Sequence, residues 1–421
     1  MSFSLLARRA LTGAVLFVAA TSLSAQSRVW TVAPSGPADF TEIQHAIDAA
    51  ASGDLIYVTG GGYDNLVIDG KGLTLVGATG TGLIDHTPVF GQTQPALTLR
   101  NIPADEVCIV SGLQVFLGHI GPNSAVLVED CPGTVWLQDL FVDAYGAAAL
   151  RIEASNTVVT TSSLFQTNAA AALPDGTPQS EPGAWVLDGS RLHGYDAEFA
   201  GSHNILQFGG APTPNAPSKG GDGLILSNSV ASLSGGSVEG SRGSSLFVNG
   251  CQQGGDGGHG VHFLDDDSFV VTHSTPVTAG SAGQFDPGCA TAGAPGQQVE
   301  GDASHAQFGT STPRRLSTPT QVSPGELLSL TLSGDPGDLG FLFIADTPAA
   351  AAPAAQITLH LDTSSLKLLT TLPMPSGERT LSLPVPALPA GLEGLLLPMQ
   401  AAMLSSSGSR HETGPRALAV L

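Results

Sequence analysis

Four charged residues end short apolar segments of the chain and could together carry acid–base or cation chemistry. They are Arg100, Glu129, Glu153 and Asp188. If the segments are stacked strands, these side chains form an outward column with a spacing of about 4.8 Å. Carboxylates at that distance raise one another's proton affinity or recruit a cation, and a neighbouring arginine can hold an acidic group. The column is our candidate catalytic set; the alternative is that its members only end strands and face water, with Arg100 paired to Glu129.

A second acidic group lies in the segment FLDDDS. Asp265, Asp266 and Asp267 offer the oxygen ligands that Ca²⁺ prefers, and Ca²⁺ is the only cofactor that the sequence suggests. Carboxylates in a strand-ending turn more commonly just solvate that turn. The glycine-rich segments KGGDGL and GGDGGHG resemble calcium-binding repeats but lack the aspartate expected after the third glycine, so we interpret them as loops.

Six short segments share one template, and they are the elements that must position these residues. Each begins with Ala or Gly, and its second and fourth positions are apolar. Because strand side chains alternate between two faces, one face is predicted to be buried and the other partly exposed. Repeats of about 24 residues, with longer loops in later copies, predict a parallel β-solenoid; a β-sandwich or propeller is the alternative. The segments are ALTLR (96–100), AVLVE (125–129), ALRIE (149–153), AWVLD (184–188), GLILS (223–227) and GVHFL (260–264).

A short amphipathic helix is predicted before the first of these strands. Asp39 and Glu42 have the spacing of a capping box, and Ile43, Ala46 and Ile47 share one helical face. An open solenoid end exposes unpaired strand edges and apolar core, which such a helix would cover.

This entrance resembles that of right-handed parallel β-helix proteins of the pectin-lyase-like superfamily, most closely the pectin methylesterase branch. The resemblance covers only the beginning of the predicted mature chain, including the strand and the Gly-x-Tyr turn that follow the helix. It implies an all-β, right-handed parallel β-helix fold and is not specific for an activity. The matching residues are Asp39, Phe40, Thr41, Ile43, Gln44, Ala46 and Ile47.

The catalytic motifs of the esterase branch are missing at the matching positions. Its Gln-Asp-Thr motif falls near Gly146, Ala147 and Ala148, and the aspartate of its next motif falls in NAAAAL, residues 168–173. An esterase of this type needs one carboxylate as nucleophile and a second as acid and base, and alanine can perform neither role. The resemblance therefore implies the fold without the esterase activity.

The first residues and the composition predict an exported, acidic protein. Arg8 and Arg9 precede an apolar stretch that is too short to span a membrane, and small residues follow up to Ala25. We expect cleavage near Ala25, no transmembrane segment afterwards, and a location outside the cell or at the cell envelope or surface. A net charge of −21 argues against nucleic acid as a partner.

Four cysteines in an exported chain could form two disulfides. Cys251 and Cys289 follow consecutive templates in glycine-rich loops, so their loops are predicted to lie side by side and to be joined by a disulfide. Cys108 and Cys131 occupy different template positions, which leaves their pairing open.

Four segments make up the predicted domain organisation. A signal peptide (1–25) precedes the β-helix (26–311), and a linker rich in Pro, Ser and Thr (312–326) leads to a β-sandwich-like domain (327–421). The last domain could cap the far end of the solenoid, anchor the protein to a surface or bind glycan.

Two functions are compatible with these features. The first is an exported, non-catalytic β-helix protein that acts as a rigid surface, adhesive or binding module, with polysaccharide or another cell-surface component as partner. The alternative is a carbohydrate-active enzyme: a calcium-assisted polysaccharide lyase, or a divergent pectin-type hydrolase or esterase, acting on acidic polysaccharide. The fold alone does not decide between them.

Overall fold

The computed structural model describes most of the chain after residue 27. The predicted signal peptide, residues 1–25, lies outside the described residues. No helix in the described part of the chain combines the length and the apolar character needed to cross a membrane. The described residues are 28–78, 80–84, 94–117, 124–169, 171–172, 178–202, 217–248, 251–286, 292–354, 357–385, 387–388 and 394–421.

Three parallel sheets, here called A, B and C, form a parallel β-helix in which each coil contributes one strand to each sheet in that order. Sheet A contains the strands Val29–Val32, Leu55–Val58, Thr74–Gly77, Val107–Ser111, Thr134–Gln138, Thr157–Thr161, Arg191–Tyr195, Val230–Ser234, Phe269–His273 and Ala306–Gly309. Sheet B contains Gly61–Tyr63, Thr81–Ile84, Gln114–Leu117, Phe141–Tyr145, Leu164–Ala169, Glu198–Ala200, Ser237–Glu239 and Val277–Thr278. Sheet C contains Leu66–Asp69, Leu97–Arg100, Ser124–Glu129, Ala148–Glu153, Ala184–Leu187, Leu224–Leu226, Val261–Phe263 and Val299–Glu300.

Six of the eight strands of sheet C are the template segments, and the predicted register of the first three is correct. Leu97, Val126 and Leu150 are paired neighbours and are fully buried, so the second template position faces the interior. Arg100 and Glu129 are also paired neighbours, as the template predicts. The alternation of apolar and polar residues therefore fixes both the buried face and the stacking of these coils.

The fourth template segment is shifted by one residue relative to the prediction. In the strand Ala184–Leu187, Ala184 is fully buried and pairs with Leu150, whereas Trp185 is only partly buried and faces outward. Asp188 consequently leaves the predicted column and occupies the corner after the strand, with a φ of 57°. The prediction that Asp188 extends the outward column was wrong.

The interior of this coil accounts for the shift. Sheet B contributes Phe199, whose ring stacks on Phe165 of the preceding coil with centroids 5.4 Å apart. Both rings are fully buried in the same core as Ala184. A small inward residue is compatible with two stacked rings, whereas an inward indole at position 185 would overfill the space.

The corner after most sheet C strands has a left-handed backbone conformation. Asn101, Asp130, Ala154 and Asn228 have φ values between 46° and 55°, and Gly70 takes the same place in the first coil with a φ of 68°. The N–H of Asn101 donates to the Glu129 carbonyl of the next coil at 3.3 Å, and Asp130 repeats this contact. These stacked corners turn the chain sharply from sheet C to sheet A.

The helix Ile43–Ala49 lies at the N-terminal end of the solenoid, where it buries Ile43, Ala46 and Ile47 as predicted. The predicted capping box is wrong, because the helix begins after Glu42 with no side-chain cap. Lys71 instead stabilises the other end of the helix by donating to the carbonyls of Ile47 and Ala50 at 2.7 and 2.8 Å.

The Asp39 carboxylate, predicted to cap the helix, is engaged elsewhere. It accepts hydrogen bonds from the backbone N–H and the hydroxyl group of Thr31, both at 2.8 Å. Asp39 therefore holds the preceding segment against the first strand of sheet A instead of capping the helix.

Glycine-rich segments between sheets B and C form a second packed region, which we call the glycine bundle. Its extended segments carry hydrogen bonds at intervals of three residues: Gly240 donates to Thr278 at 2.8 Å, and Gly243 donates to Ser281 at 2.9 Å. A three-residue period is that of the polyproline II conformation, which has no internal hydrogen bonds, so neighbouring segments supply the partners. The bundle comprises residues 180–183, 201–202, 218–223, 240–244, 254–260, 279–284 and 292–297.

Glycine is required in the bundle because backbone packs directly against backbone. A Cβ atom on Gly258 would overlap the carbonyl oxygen of Gly221, and one on Gly280 would overlap that of Ser241. Glycine at the crowded positions allows the segments to approach closely enough to bond. The segments KGGDGL and GGDGGHG, interpreted from the sequence as loops, are part of this ordered bundle.

The C-terminal domain is a β-sandwich whose two main sheets share one hydrophobic core. One sheet contains Arg315–Ser317, Leu327–Ser333 and Glu378–Pro384. The other contains Gln321–Val322, Arg416–Val420, Leu395–Leu404, Asp338–Ile344, Lys367–Met374 and Arg410–Glu412. The remaining described elements are the strand pairs Pro348–Ala354 with Ile357–Leu361, Ala171–Ala172 with Pro178–Gln179, and Ser245–Val248 with Cys251–Gly254, and a 3₁₀ helix at Ala303–His305.

The predicted linker, 312–326, is partly strand. Arg315–Ser317 pairs with Leu327–Ser333, and Gln321–Val322 pairs with the strand Arg416–Val420. Leu316 and Val322 are buried in the sandwich core. The sandwich therefore begins before residue 327, because two apolar residues in a Pro- and Ser-rich segment are sufficient to anchor short strands.

The sandwich packs along the outer face of sheet A. Ile109, Trp136 and Val159 are paired neighbours on that face and share a buried apolar cluster with Ala417 of the sandwich. At the edge of this contact, the Arg416 guanidinium binds both carboxylate oxygens of Asp139 at 2.8 and 2.9 Å.

Gln138 contributes a further contact between the two domains. Its side chain accepts from the Ala417 N–H at 2.8 Å and donates to the Ala417 carbonyl at 3.1 Å. The sandwich lies beside the coils and contacts several of them, an arrangement that the sequence did not predict.

Candidate functional site

The outward column on sheet C is present in part, and ion pairs run through it. Arg100 lies between two carboxylates: its guanidinium is 2.9 Å from Asp69, which the sequence analysis missed, and 3.9 Å from Glu129. A hydrogen bond from Asn101 and the charge of Arg100 hold the pKa of Asp69 below its usual value. This arrangement corresponds to the pairing of Arg100 with Glu129 that the sequence left open.

Glu153 follows Glu129 in the column and has an arginine partner of its own. Glu129 and Glu153 are paired neighbours in sheet C, and the Glu153 carboxylate binds the guanidinium of Arg151 from its own strand. Leu187, not Asp188, is the next neighbour of Glu153. The two glutamates are thus adjacent, each beside an arginine, and the apolar Leu187 ends the run.

The acidic turn after the last long template segment ties two coils together. Asp265 accepts hydrogen bonds from the Ser227 hydroxyl at 2.8 Å, the Asn228 N–H at 2.6 Å and the Ser268 hydroxyl at 2.8 Å. Burial opposes ionisation, but these bonds hold the pKa of Asp265 below its usual value. Asp266 and Asp267 are exposed. Across the described residues, no three His, Cys, Asp or Glu side chains are grouped so that they could hold a metal ion.

A histidine–carboxylate group that the sequence analysis missed lies where the glycine bundle meets sheet C. Asp222, almost fully buried, accepts from the His259 N–H at 2.6 Å and lies 2.9 Å from both His262 Nδ1 and Lys219 Nζ. His262 is partly exposed and is paired in sheet C with Glu300. The group brings one carboxylate, one amine and two imidazoles together at the surface.

The electrostatics of this group keep Asp222 ionised. Burial opposes the charge, but hydrogen bonds from His262 and the His259 N–H, together with Lys219, hold the pKa of Asp222 below its usual value. Because an ionised carboxylate only accepts, His262 donates from Nδ1, and Nε2 of the neutral ring is then an acceptor. That is the tautomer a general base requires.

His259 has a different role in the same group. Its Nδ1 accepts the Gln297 N–H at 3.0 Å, so the neutral ring is part of the bonding of the bundle. Burial lowers the pKa of His259, which favours the neutral form. His259 is therefore a structural link between two segments of the glycine bundle.

A cleft of about 370 Å³ lies between sheet A and the sandwich. Its floor is polar where the apolar contact between the domains ends, because Ser232 and Ser234 occupy the outward positions next to His193 and Tyr195. The full lining is Tyr195, Ser232, Ser234, His273, Ser311, Thr312, Arg314, Arg410, His411 and Glu412.

Three titratable groups of the cleft have shifted pKa values, and burial raises the pKa of Tyr195 well above its usual value. Burial raises the pKa of Glu412 to about 7, so this carboxyl group is partly protonated near neutral pH. Burial and the nearby charge of Arg314 lower the pKa of His411. Shifted pKa values in a cleft are a feature of binding and catalytic sites, although buried structural groups also show them.

An aromatic and histidine cluster lies behind the cleft. The Tyr195 hydroxyl is 3.2 Å from Nε2 of the fully buried His360, and the rings of Trp136 and His193 contact the same imidazole edge to face. Burial lowers the pKa of His193 to about 4 and that of His360 well below its usual value. Both imidazoles are thus neutral and serve as packing groups between the domains.

Comparisons with known proteins identify no family for this chain. No family model matches it, and no curated protein matches it. Superoxide reductase (neelaredoxin) from Ignicoccus hospitalis is a solved structure with a weak match: 10% identity over 26% of this chain and 80% of that chain, with a TM-score of 0.17. A similarity at this level carries no argument about fold or function.

Two of the four cysteines lie in the buried interior of the coils. Cys108 and Cys131 are free, buried thiols. Cys131 takes the place of a serine in a column of buried serines, because its N–H donates to Ser155 Oγ, just as the Ser155 N–H donates to Ser190 Oγ. Cys289 lies outside the described residues, so the Cys251–Cys289 disulfide remains a prediction.

Sequence patterns could have revealed part of what was missed. Two pairs of polar residues in the glycine-rich segments have the three-residue spacing of the bundle. They are Lys219 with Asp222, and Asp256 with His259. His262 occupies an outward template position, so its neighbours in adjacent coils could have been inferred from the template. The cleft had no such signal, because its walls come from two domains whose docking the sequence does not encode in any local pattern.

Proposed function

We propose that the protein is an exported, non-catalytic β-helix protein that serves as a rigid surface, adhesive or binding module outside the cell or at the cell surface. The observation that carries the proposal is the pairing of the outward carboxylates. Arg100 lies between Asp69 and Glu129, and Arg151 binds Glu153. Acid–base catalysis requires a carboxyl group that is available to the substrate, whereas these carboxylates are already engaged by guanidinium groups.

The covering of sheet A supports a role as a rigid body. The sandwich contacts successive coils through a buried apolar cluster and through the bidentate Arg416–Asp139 pair. A bidentate arginine–carboxylate contact fixes orientation as well as distance. A long structure braced along its side would hold a binding surface at a fixed distance from its point of attachment.

The test combines an activity assay with a binding assay on the mature chain. Product release is measured on acidic and neutral polysaccharides with and without Ca²⁺, beside a Glu129→Ala/Glu153→Ala double variant. Co-sedimentation with the same polysaccharides in insoluble form, and with cell-wall fragments, measures binding. We expect binding to at least one of these materials without product release; turnover that disappears in the double variant would overturn the proposal.

A carbohydrate-active enzyme is the second candidate, and the Asp222–His262 contact is the observation that favours it. A buried carboxylate that orients a partly exposed imidazole is an arrangement used by general bases, here on the outward face of sheet C. In this reading, His262 would remove a proton from a bound polysaccharide or from water. His262→Gln should then abolish any turnover, whereas His45→Gln, at an exposed position of the helix Ile43–Ala49, should not.

The secreted location and the disulfide belong to the same proposal. N-terminal sequencing of protein recovered from the culture medium should begin near residue 26. Peptide mapping without reduction should yield a Cys251–Cys289 cross-link and leave Cys108 and Cys131 reactive toward alkylating reagent after unfolding. A chain retained inside the cell with all four thiols free would contradict both parts.

A further inference from the structure

The cleft between sheet A and the sandwich differs in charge from the rest of the chain. The chain contains 36 acidic residues and only 15 Lys and Arg, whereas the cleft is lined by two arginines, two histidines and a single carboxyl group. Three serines, a threonine and a tyrosine complete the lining. Side chains that can donate hydrogen bonds therefore dominate a pocket on an otherwise acidic protein, which favours a negatively charged ligand.

These donors come from three separate parts of the structure. The floor carries Ser232, Ser234 and His273 on neighbouring strands of sheet A. One wall is the segment 311–314, and the opposite wall is the strand Arg410–Glu412. A planar carboxylate is satisfied by one bidentate guanidinium, whereas a tetrahedral oxyanion presents oxygen atoms in several directions and is satisfied by donors on several sides.

Arg314 is held in a fixed position by its own partners. Its guanidinium binds Asp338 at 3.0 Å and Asp335 at 2.8 Å, and the side chain is almost fully buried. These two aspartates offset its charge, so Arg314 contributes a rigid wall more than net charge. Arg410, on the opposite wall, is exposed, and its guanidinium would approach the oxyanion from the side opposite Arg314.

We propose that this cleft binds a small tetrahedral oxyanion, phosphate or sulfate, either free or as the ester group of a small polyol. The serine and threonine hydroxyls and the two imidazoles would donate to the oxyanion or to the hydroxyl groups of the polyol. A volume of about 370 Å³ falls within the usual range for ligand pockets and exceeds the needs of a lone phosphate. The single carboxyl group, Glu412, loses part of its repulsion because its pKa lies near 7.

Isothermal titration of the full mature chain tests the proposal. The probes are inorganic sulfate, inorganic phosphate, glucose 6-phosphate and galacturonate, each at the same ionic strength in a chloride buffer. The variants are Arg410→Gln and Ser234→Ala, and the matched control is Arg379→Gln, an exposed arginine of the sandwich outside the cleft. We expect saturable binding of at least one phosphate or sulfate probe, a tenfold or greater weakening in Arg410→Gln, and a smaller weakening in Ser234→Ala.

The Arg379→Gln control and the galacturonate probe distinguish the results that support the proposal from those that would overturn it. Unchanged affinity in Arg379→Gln supports the site, and equal weakening in both arginine variants would overturn it, because the effect would then be general charge screening. The absence of binding by sulfate, phosphate and glucose 6-phosphate would overturn it, as would tighter binding of galacturonate. Tighter binding of glucose 6-phosphate than of phosphate supports the ester form, and equal affinities support the free ion.

The oxyanion site is independent of the proposed function. A protein that releases no polysaccharide product can still bind sulfate at the cleft, and an active enzyme can fail to do so. If Arg410→Gln alters the melting temperature of the free protein, Ser234→Ala provides the second variant, because it removes one hydroxyl group from a part-exposed position.

Discussion

The coils of the β-helix and the glycine bundle beside them are packed by opposite means. The coils enclose side chains such as Phe165 and Phe199, which are fully buried and stacked on each other. The bundle buries mainly small or polar side chains such as Ser202, Ser218 and Ser241, and it is held by backbone hydrogen bonds between glycine-rich segments. The first region gains stability from apolar area removed from water, and the second from satisfied backbone groups at close approach.

The difference shows how one chain can extend a solenoid without extending its hydrophobic core. Long insertions normally carry an entropy cost with no packing to offset it. Here the insertions of successive coils bond to one another, as in the contact of Gly258 with Ser241 and of Gly280 with Gly258, each at 2.8 Å. The insertions therefore form an ordered layer that inherits its spacing from the coils.

Phe199→Ala should have the largest effect and tests the side-chain half of this comparison. The ring is fully buried against Phe165, so its removal should lower the free energy of unfolding by about 3–5 kcal/mol. Phe285→Ala, which removes a ring that is 45% exposed, is the matched control and should change it by less than about 1 kcal/mol. Urea unfolding followed by circular dichroism measures both; similar losses in the two variants would contradict a core that depends on buried rings.

Gly258→Ala tests the other side of the comparison, the close backbone packing of the glycine bundle. The added methyl group would overlap the Gly221 carbonyl, so we expect a loss of about 2–3 kcal/mol, with faster hydrogen exchange at the amides of Gly255 and Gly280. Gly70→Ala is the control: its φ of 68° makes a side chain unfavourable by about 1–2 kcal/mol, but no atom lies within 4 Å of the new methyl group. Faster exchange within the bundle in Gly258→Ala but not in Gly70→Ala would attribute the loss to steric overlap. The same exchange pattern in both variants would contradict close backbone packing in the bundle.

A fall in pH should loosen the bundle before the coils. Nδ1 of neutral His259 accepts the Gln297 N–H, and burial lowers its pKa below 6.5. The unfolded state therefore gains a proton before the folded state does, so stability from this contact is present above pH 6.5 and is lost as the pH falls through the folded pKa. Asp222 and Glu300 face the ring and favour its protonation, whereas Lys219 and His262 oppose it.

Hydrogen exchange measured from pH 7.5 to pH 5 and corrected for intrinsic rates checks this effect. The Gln297 amide should lose protection as the pH falls, while the amides of Val126 and Leu150, in the coil interior, should not. His259→Asn offers a carbonyl acceptor that does not titrate, so its pH dependence should be smaller. Loss of protection at all three amides together would contradict a local effect.

Cys131→Ser should have the smallest effect and examines a place where the coils also rely on polar contacts. Cys131 already occupies a position of the serine column, and its Sγ donates to the Glu129 carbonyl at 3.2 Å, as Ser155 Oγ does to Glu153. We expect a change in the free energy of unfolding within about 0.5 kcal/mol.

Ser190→Ala is the contrasting variant in the same column. It removes the acceptor of the buried Ser155 N–H and should cost about 1–3 kcal/mol. A large loss in Cys131→Ser, measured by the same urea unfolding, would mean that the thiol has a role that the column does not explain.

The sequence predicted the coils well because their apolar positions repeat at a fixed interval in each strand. The pairing of Leu97, Val126 and Leu150 follows directly from that repeat. The prediction failed at Trp185, because a small residue at the start of each segment was used to align the templates, whereas inward volume decides the register. The spacing of apolar residues predicts which side chains of a strand face inward. It does not predict how much volume is available to them inside a coil.

The candidate site was predictable only where it lies within the repeat. Arg100 and Glu129 were placed together correctly, since both occupy the same template position. Asp222 lies outside the template, and its contact with His262 depends on how one insertion folds back onto the next coil. Arg410 and Ser234 line the same cleft from two domains, and no pattern along the chain indicates that they lie close to one another.

The stacking of insertion upon insertion has a consequence for how such a protein can change in size. Each of the later coils brings its own strands and its own glycine-rich segments, and both bond to the equivalents in the neighbouring coil. Tandem duplication of one such unit within the gene would lengthen the solenoid and widen the glycine layer in a single event, with no new interface to evolve. We therefore expect relatives of this chain to differ in length by whole coils, in steps that leave the helix at one end and the sandwich at the side unaltered.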